Sequence, residues 1–263
     1  MTSPWHKARE KTLRPPAVEG DARELRLYGI NAVQAAFARR PEALRKLYLA
    51  EARVPALKAM LKWCAAHRIG YRIVGDEDLR KLAASTHHEG VVADMLRELP
   101  MRLDDWLATL PEGPACALWL DGVGNPHNLG AILRNAAHFG VSGLLLPSQS
   151  DLQLSGAAAR VAEGGAEVVP WVRMGDAASD IDALHRAGFV LAATLVEGGE
   201  DVFASPLPPR LVWVMGAEQS GMDRDFARRC DRRVSIPGTG AVESLNVASA
   251  TAVLLAAWAH RRG

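Results

Sequence analysis

Cysteine is scarce in this chain. Cys64, Cys116 and Cys230 are the only three, an odd number with no C-x-x-C spacing. This pattern argues against a disulfide framework and a zinc site, and it suits a reducing compartment. The adjacent His87 and His88 are interpreted as a surface pair, because no further ligand stands at a suitable spacing. No metal is expected.

Long apolar runs are also missing. The longest one, from Val247 to Ala259, is too short and too interrupted by serine and threonine to span a bilayer. The N-terminus lacks the apolar stretch of a signal peptide. These absences predict a cytoplasmic protein with no membrane partner.

The chain has no marked excess of charge. Its 31 basic and 30 acidic side chains leave a formal net charge of +1, so any nucleic-acid-binding surface must be local. The clearest basic cluster lies in residues 1–20, which are interpreted as a disordered tail. With 263 residues, 49% of them hydrophobic, the remainder is long enough for one large or two modest domains.

Hydrophobic patterning predicts two domains. A small α/β domain is expected over residues 21–97, followed by a proline- and glycine-rich linker at 98–113 around a short helix from Leu103 to Leu110. In the small domain we expect a helix capped by Asn31, a helix from Val54, and strands near 44–49, 71–74 and 91–92.

Residues 114–263 alternate strand-like apolar runs with helical segments. The runs are 117–120, 144–146, 168–172, 189–193 and 211–215. This alternation predicts an α/β fold with a mainly parallel sheet that is covered on both faces.

Three turns rich in glycine or asparagine follow predicted strands, where open α/β sheets usually bind ligands. They run from Asp121 to Gly130, from Met215 to Met222 and from Ile236 to Asn246. Neither the second nor the third turn carries the glycine fingerprint of a dinucleotide site or the lysine of a P-loop. A dinucleotide-dependent oxidoreductase is therefore disfavoured. The first turn leads into a helix that stops at Gly140 and carries Arg134 off its apolar stripe.

Taken together, the three turns resemble the motifs of the SpoU (TrmH) family of RNA methyltransferases, within the SPOUT superfamily. The family pattern N-x-G-x-x-x-R is met by Asn128, Gly130 and Arg134, the pattern G-x-E-x-x-G by Gly216, Glu218 and Gly221, and the pattern I-P-M-x-G-x-x-x-S-L-N by Ile236, Pro237, Gly240, Ser244, Leu245 and Asn246. The segments Tyr28–Val33 and His88–Val92 resemble the family's accessory substrate-binding module.

This resemblance implies a fold, a cofactor and an activity. The fold would be a small α/β RNA substrate-binding domain before a methyltransferase domain with a C-terminal trefoil knot, assembled as a homodimer. The activity would be transfer of a methyl group from S-adenosylmethionine to a ribose 2′-oxygen of ribosomal or transfer RNA. The implied cofactor-binding residues are Gly216, Ile236, Leu245, Gly221, Gly240 and Thr194. The residues implied at the place of transfer are Arg134, Asn128, Glu218, Ser244 and Asn246.

The interpretation of Arg134 depends on its permanent charge. A guanidinium is effectively always protonated, so Arg134 is interpreted as a phosphate clamp or alkoxide stabiliser and not as a base. The chain departs from the family pattern at three places, where Gly238 replaces methionine, Ala248-Ser249 replaces Ser-Val, and Asn125 replaces aspartate. An alternative is therefore a non-catalytic RNA-binding protein that retains the knotted fold.

Overall fold

Two β-sheets joined by packed helices make up the described part of the chain. The computed structural model describes residues 23–204, 206–216 and 221–260. The tail predicted over residues 1–20 lies outside the described residues. In the ranges just given, no helix combines the length and the apolar character that crossing a bilayer requires.

The first sheet has four strands in the order β1-β4-β2-β3. β4 is antiparallel to β1 and β2, whereas β3 is parallel to β2. Alternate apolar residues such as Leu27 and Leu47 point to one face, where they are buried against α1 and α2, and α3 packs on the other face. The elements are β1 (Glu24–Tyr28), α1 (Ile30–Arg39), β2 (Leu44–Leu49), α2 (Lys58–Ala66), β3 (Gly70–Ile73), α3 (Asp76–Ala83) and β4 (Val91–Leu96).

Two expectations for this region are wrong in detail. Asn31 does not cap α1; it lies inside the helix, and the amide of Ile30 instead donates to the distant Glu89 carboxylate at 3.0 Å. The helix predicted from Val54 begins only at Lys58. Residues 55–57 instead form a turn, in which the amide of Leu57 donates to the carbonyl of Arg53 at 3.0 Å.

The second sheet has eight strands in the order β10-β12-β9-β11-β6-β7-β8-β5. Every pairing between its described strands is parallel. This confirms the predicted parallel sheet. Its strands are β5 (Met101–Arg102), β6 (Ala115–Leu120), β7 (Gly143–Leu146), β8 (Trp171–Arg173), β9 (Val190–Thr194), β10 (Glu200–Asp201), β11 (Arg210–Met215) and β12 (Arg232–Ser235).

Helices cover both faces of the large sheet, as a buried parallel sheet requires. One face packs on α5, α6 and α9 around Leu118, Leu133 and Trp213. The opposite face packs on α4, α7 and α8 around Trp106, Leu184 and Val214. These helices are α4 (Leu103–Thr109), α5 (Pro126–Phe139), α6 (Gly156–Ala162), α7 (Ala177–Arg186), α8 (Arg224–Arg229) and α9 (Val247–His260).

The segment between the sheets is folded along much of its length. The predicted short helix is present as α4, and its Trp106 is fully buried and donates to the carbonyl of Ser142 at 2.8 Å. β5 pairs with β8 at the edge of the large sheet. The strand predicted over 168–172 forms only at Trp171–Arg173, because residues 165–167 make a 3-10 turn first and Val168 is exposed.

Candidate active site

The candidate site lies where β6 and β11 end. These neighbouring strands stay paired to their last residues, and the amide of Asp121 donates to the carbonyl of Met215 at 2.9 Å. β6 leads to α5 on one face of the sheet and β11 leads to α8 on the other. Because the chain leaves these adjacent strands toward opposite faces, their carboxyl ends form a topological switch point, and open α/β sheets bind ligands in the crevice at such a point.

The first turn delivers Asn128 to this crevice at the start of α5. The side chain of Asn125 accepts a hydrogen bond from the amide of His127 at 2.8 Å, and Pro126 occupies the first helical position. Asparagine caps helices as well as aspartate does, so the departure from the family pattern at Asn125 leaves the helix start intact. Gly140 ends the helix in a left-handed conformation, as predicted.

Gly130, the second residue of the first motif, has a packing role. A Cβ built on it would lie 2.5 Å from the carbonyl oxygen of Ala158 and 2.6 Å from Cβ of Val161, both on α6. No side chain fits at that separation. The glycine therefore permits the close approach of α5 and α6.

Arg134 combines a fixed backbone with an unengaged side chain. Its Cα would lie 3.1 Å from a Cβ built on Gly165, so the helix backbone rests directly on the 3-10 turn at 165–167. The side chain is exposed, and no hydrogen bond or ion pair joins its guanidinium to another residue in the described ranges. The guanidinium is free to meet a ligand.

The third turn is tied to the first by one side-chain hydrogen bond. Nδ2 of Asn246 donates to Oδ1 of Asn128 at 2.9 Å, while Oδ1 of Asn246 accepts from the amide of Ala248 at 2.9 Å at the start of α9. Ala248 is buried, and its carbonyl accepts from Asn135 on α5 at 3.1 Å. That contact uses the main chain of residue 248, so the structure gives no explanation for alanine in place of serine.

The rest of the third turn is open. Ser244 is exposed, Leu245 has 49% of its surface exposed, and Ile236 is half-buried against the core. Gly240 takes a positive φ of 78°, and no atom lies within 4 Å of a Cβ built on Gly240 or Gly238. Next to Gly238, where the family pattern has methionine, no described residue occupies the space in which a side chain would begin.

The second turn is only partly described. A Cβ built on Gly216 would lie 2.6 Å from the amide nitrogen of Met222, so the two ends of the turn touch through backbone. Gly221 has a positive φ of 69°. Glu218 lies outside the described residues. Thr194 donates its hydroxyl to the carbonyl of Val214 at 2.9 Å, so that group is already engaged by β11.

Asp121 directly follows β6, and its sequence context had not assigned it a role. Burial, with a further contribution from the nearby Asp223 carboxylate, raises the pKa of Asp121 above its ordinary value. Asp121 also lines a cavity of about 610 Å³ together with Gly124, Pro147 and residues 149–153. Its position at the end of a buried strand, directly before glycine, was the available signal.

The histidine pair differs from expectation. His88 is buried with 3% of its surface exposed, and its Nε2 lies 3.3 Å from Asp76, so the interpretation as a surface pair is wrong for this residue. Among the residues that the structure describes, no cluster of three or more histidine, cysteine, aspartate or glutamate side chains has the arrangement of a metal site. The three cysteines are free and buried.

Solved structures with a similar fold are methyltransferases. The AdoMet-bound rRNA methyltransferase from Sinorhizobium meliloti superposes with a TM-score of 0.74 at 24% identity, covering 91% of this chain and 88% of the other. The SpoU methyltransferase AviRb from Streptomyces viridochromogenes, in complex with AdoMet, gives 0.72 at 23% identity, with coverage of 92% and 91%. The fold is that of this class of enzyme.

Family models and close relatives give the specific assignment. Residues 115–256 match the SpoU rRNA Methylase family, and residues 26–96 match the family described as RNA 2′-O ribose methyltransferase substrate binding. The 23S rRNA (guanosine-2′-O-)-methyltransferase RlmB of Bordetella pertussis is 39% identical over 233 residues, covering 87% of this chain and 94% of the relative. The uncharacterized tRNA/rRNA methyltransferase YfiF of Escherichia coli O157:H7 is 38% identical over 237 residues, covering 90% of this chain and 68% of the relative.

The chain belongs to the SpoU family. As a member it is an RNA methyltransferase that acts on a ribose 2′-oxygen, with S-adenosylmethionine as its cofactor.

Proposed function

We propose that this chain methylates the ribose 2′-oxygen of a guanosine in large-subunit ribosomal RNA. The choice of nucleotide is supported by relatives named for that reaction, among them the Bordetella pertussis protein, whose length this chain matches almost completely. The observation that carries the assignment to this site is the hydrogen bond from Asn246 to Asn128. It joins two of the three turns at the start of the helix that carries Arg134, whose guanidinium is unengaged among the described residues.

The residues around the crevice fit S-adenosylmethionine. Gly221 and Gly240 adopt left-handed backbone with open space where a Cβ would stand, which lets a flat ligand reach the main chain. The exposed side chain of Leu245 offers an apolar surface for an adenine ring. We assign Gly216, Gly221, Ile236, Gly240 and Leu245 to cofactor binding. We also assign Thr194 to cofactor binding, in an indirect role. Its hydroxyl donates to the carbonyl of Val214 and so supports the end of β11.

The bound cofactor supplies a methyl group already activated on a cationic sulfonium. The chain must then hold the ribose hydroxyl in line with that methyl group and favour loss of its proton. Arg134 serves both needs, because its planar fork of donors grips a neighbouring phosphate and its charge stabilises the developing alkoxide. The ribose is oriented next to Arg134 by Asn128, Ser244 and Asn246. We assign Glu218 to the same group because it stands in the G-x-E-x-x-G motif.

RNA is held by the two parts of the chain together. We divide the chain into an accessory RNA-binding domain at 21–97, a connecting segment at 98–113 and a catalytic domain at 114–263. The match of residues 26–96 to a substrate-binding family supports this division. A formal charge of +1 means that the RNA-binding contacts are local and do not come from an overall excess of positive charge. We also propose that the C-terminal residues form a trefoil knot, and that the enzyme acts in the cytoplasm.

A homodimer is supported by the last helix. α9 is apolar on almost all sides, and helices of that kind are normally buried all round. Trp258 is buried in the core, yet Ala256 is exposed. It lines a largely apolar surface hollow with Phe203, Val253, Ala257 and His260, and Phe203 is 51% exposed. A second copy of the chain would cover this surface.

Methyl transfer to ribosomal RNA tests the proposal directly. Purified protein with labelled S-adenosylmethionine and unmodified large-subunit RNA is expected to yield a single 2′-O-methylated guanosine, located by mass spectrometry of nuclease fragments. Donor binding measured by calorimetry in the presence of a chelator is expected to be unaffected. Donor binding without methyl transfer to any ribosomal or transfer RNA would move the assignment to the non-catalytic RNA-binding alternative.

A further inference from the structure

The junction between the small sheet and the large sheet contains a buried ion pair. Arg40, at the end of α1, donates to Glu167 through Nε at 2.7 Å and Nη2 at 2.9 Å, and the two side chains are only 11% and 6% exposed. Two parallel bonds fix orientation as well as distance. The pair therefore fixes the orientation of the small-sheet part of the chain (residues 23–97, the accessory unit) relative to the large-sheet part (residues 114–260, the catalytic unit).

Further polar contacts cross the same junction. Nη2 of Arg160 on α6 lies 3.3 Å from the carboxylate of Glu89, and Nε of the same arginine donates to the carbonyl of His87 at 2.9 Å. The side chain of Asn31 donates to that of Glu163. Glu89 and Asn31 belong to the two segments that resemble the accessory module, so both segments serve as docking surface.

Small residues bring the backbones of the two units into contact. A Cβ built on Gly156 at the start of α6 would lie 2.4 Å from the carbonyl oxygen of Arg26 on β1. One built on Gly164 would lie 2.9 Å from Cβ of Ala35 on α1. At these distances the two packed surfaces cannot slide past each other, because close-packed backbones fit together only in discrete arrangements.

The docked segment is also the support of Arg134. Glu167 ends the 3-10 turn that begins at Gly165, and a Cβ built on Gly165 would lie 2.7 Å from the carbonyl oxygen of Leu133 and 3.1 Å from Cα of Arg134. Contacts thus run without a gap from Arg40 through Glu167 and its turn to the backbone of Arg134.

We propose that Arg40 and Glu167 are positioning residues for methyl transfer, which set the place of the accessory unit relative to Arg134. This inference rests on the proposed function. RNA held by the accessory unit is then presented to the site in one geometry, and fixed presentation raises the effective concentration of the reacting group. A buried ion pair is a weak source of stability, since apolar replacements often serve as well, so its geometry is the more useful property.

The test is the rate of methyl transfer in a single turnover, with donor and RNA both saturating, for Glu167→Gln. Loss of positioning is expected to lower this rate about 10- to 100-fold, while the dissociation constants for donor and for RNA stay close to parental values. The charge exchange Arg40→Glu with Glu167→Arg is expected to recover part of the rate lost in either single variant.

Asp94→Asn is the matched control. Asp94 forms a similar two-bond pair with Arg26, at 2.7 and 3.3 Å, but wholly inside the small sheet. This variant is expected to keep the parental rate. Should Glu167→Gln fail to fold, the milder Arg160→Gln and Asn31→Ala, at half-buried and exposed contacts, carry the same expectation of a lower rate with donor affinity kept.

A measurement of the distance between the two units distinguishes a failure of this inference from a failure of the proposed function. Dyes on Lys62→Cys and Asp182→Cys, both exposed while the native cysteines are buried, are expected to show a broader distance distribution in Glu167→Gln. A parental rate in that variant, an equal rate loss in Asp94→Asn, or an unchanged distance distribution would overturn the inference. An inactive parental enzyme with the expected broadening would instead contradict the proposed function alone.

Discussion

Asn246 uses both ends of its side-chain amide. Its nitrogen donates to Oδ1 of Asn128 at 2.9 Å, and its oxygen accepts from the amides of Ala248 at 2.9 Å and Ser249 at 3.4 Å. One residue therefore starts α9 and ties the third turn to the first. Its contribution to folding and its contribution to the site can be separated by substitution.

Asn246→Asp is expected to keep the helix cap and lose methyl transfer. The carboxylate still accepts from Ala248, and a negative charge at a helix start is favourable, but it cannot donate to Asn128. Melting temperature close to the parental value, with a large loss of single-turnover rate, is the expected result. Asn246→Ala serves as the control, because it should also lose about 0.5–2 kcal/mol of stability with the cap. Because the Asn128 amide can rotate and donate to a carboxylate, Asn128→Ala is measured as well, and activity in both variants would show that the bond is dispensable.

Gly130→Ala is expected to destabilise the protein. Its added methyl group would meet the backbone of Ala158 at 2.5 Å, and overpacking of this kind typically costs about 1–3 kcal/mol. Urea unfolding measures the loss. Gly70→Ala, where no atom lies within 4 Å of the new Cβ, is the control and should leave stability nearly unchanged. Equal stability of both variants would contradict the packing role of this motif glycine.

The Cys230 thiol is expected to make stability depend on pH in alkaline solution. Burial, with a smaller contribution from Asp231, raises the pKa of Cys230 from 9.0 to about 11. The unfolded chain therefore loses this proton at lower pH than the folded protein does. The stabilising contribution is complete below pH 9 and is lost as pH rises toward 11. Melting temperatures from pH 8 to 11 should fall more steeply for the parent than for Cys230→Ala; parallel curves would contradict the assignment.

Ala256→Arg is expected to yield a monomer. The substitution places a charge in the exposed apolar hollow of α9 beside Phe203 and Val253, where a partner would have to bury it unpaired. Light scattering gives the mass, and circular dichroism verifies the fold. Ala59→Arg, on the exposed side of α2, is the control and should not alter the mass. A folded Ala256→Arg dimer would place the interface elsewhere.

The hydrophobic pattern of the sequence predicted the layers of this fold, because strands of a parallel sheet that is covered on both faces are continuously apolar, as in Leu211–Met215. It did not give β5, which has only two residues, or the cap of α1, which Glu89 supplies from 59 residues away. Local patterns carry no information about such distant partners.

The candidate site was predictable to a similar extent. The three turns could be found as glycine-rich segments after strands, and the resemblance to a family grouped them. The pairing of Asn128 with Asn246 spans 118 positions and could be located only in three dimensions. The docking role of Glu89 and Asn31 was likewise hidden, since nothing in either segment indicates the α6 surface that it meets.

Arg134→Ala tests the central claim most directly, that the unengaged guanidinium on α5 acts on the RNA during methyl transfer. The measurement is the single-turnover rate on ribosomal RNA with saturating S-adenosylmethionine. Loss of one such contact is expected to lower the rate about 10²- to 10³-fold, with fold, mass and donor affinity retained because the side chain has no partner among the described residues. Arg134→Lys should recover little, since an ammonium lacks the planar fork. A folded alanine variant with near-parental rate would contradict the account.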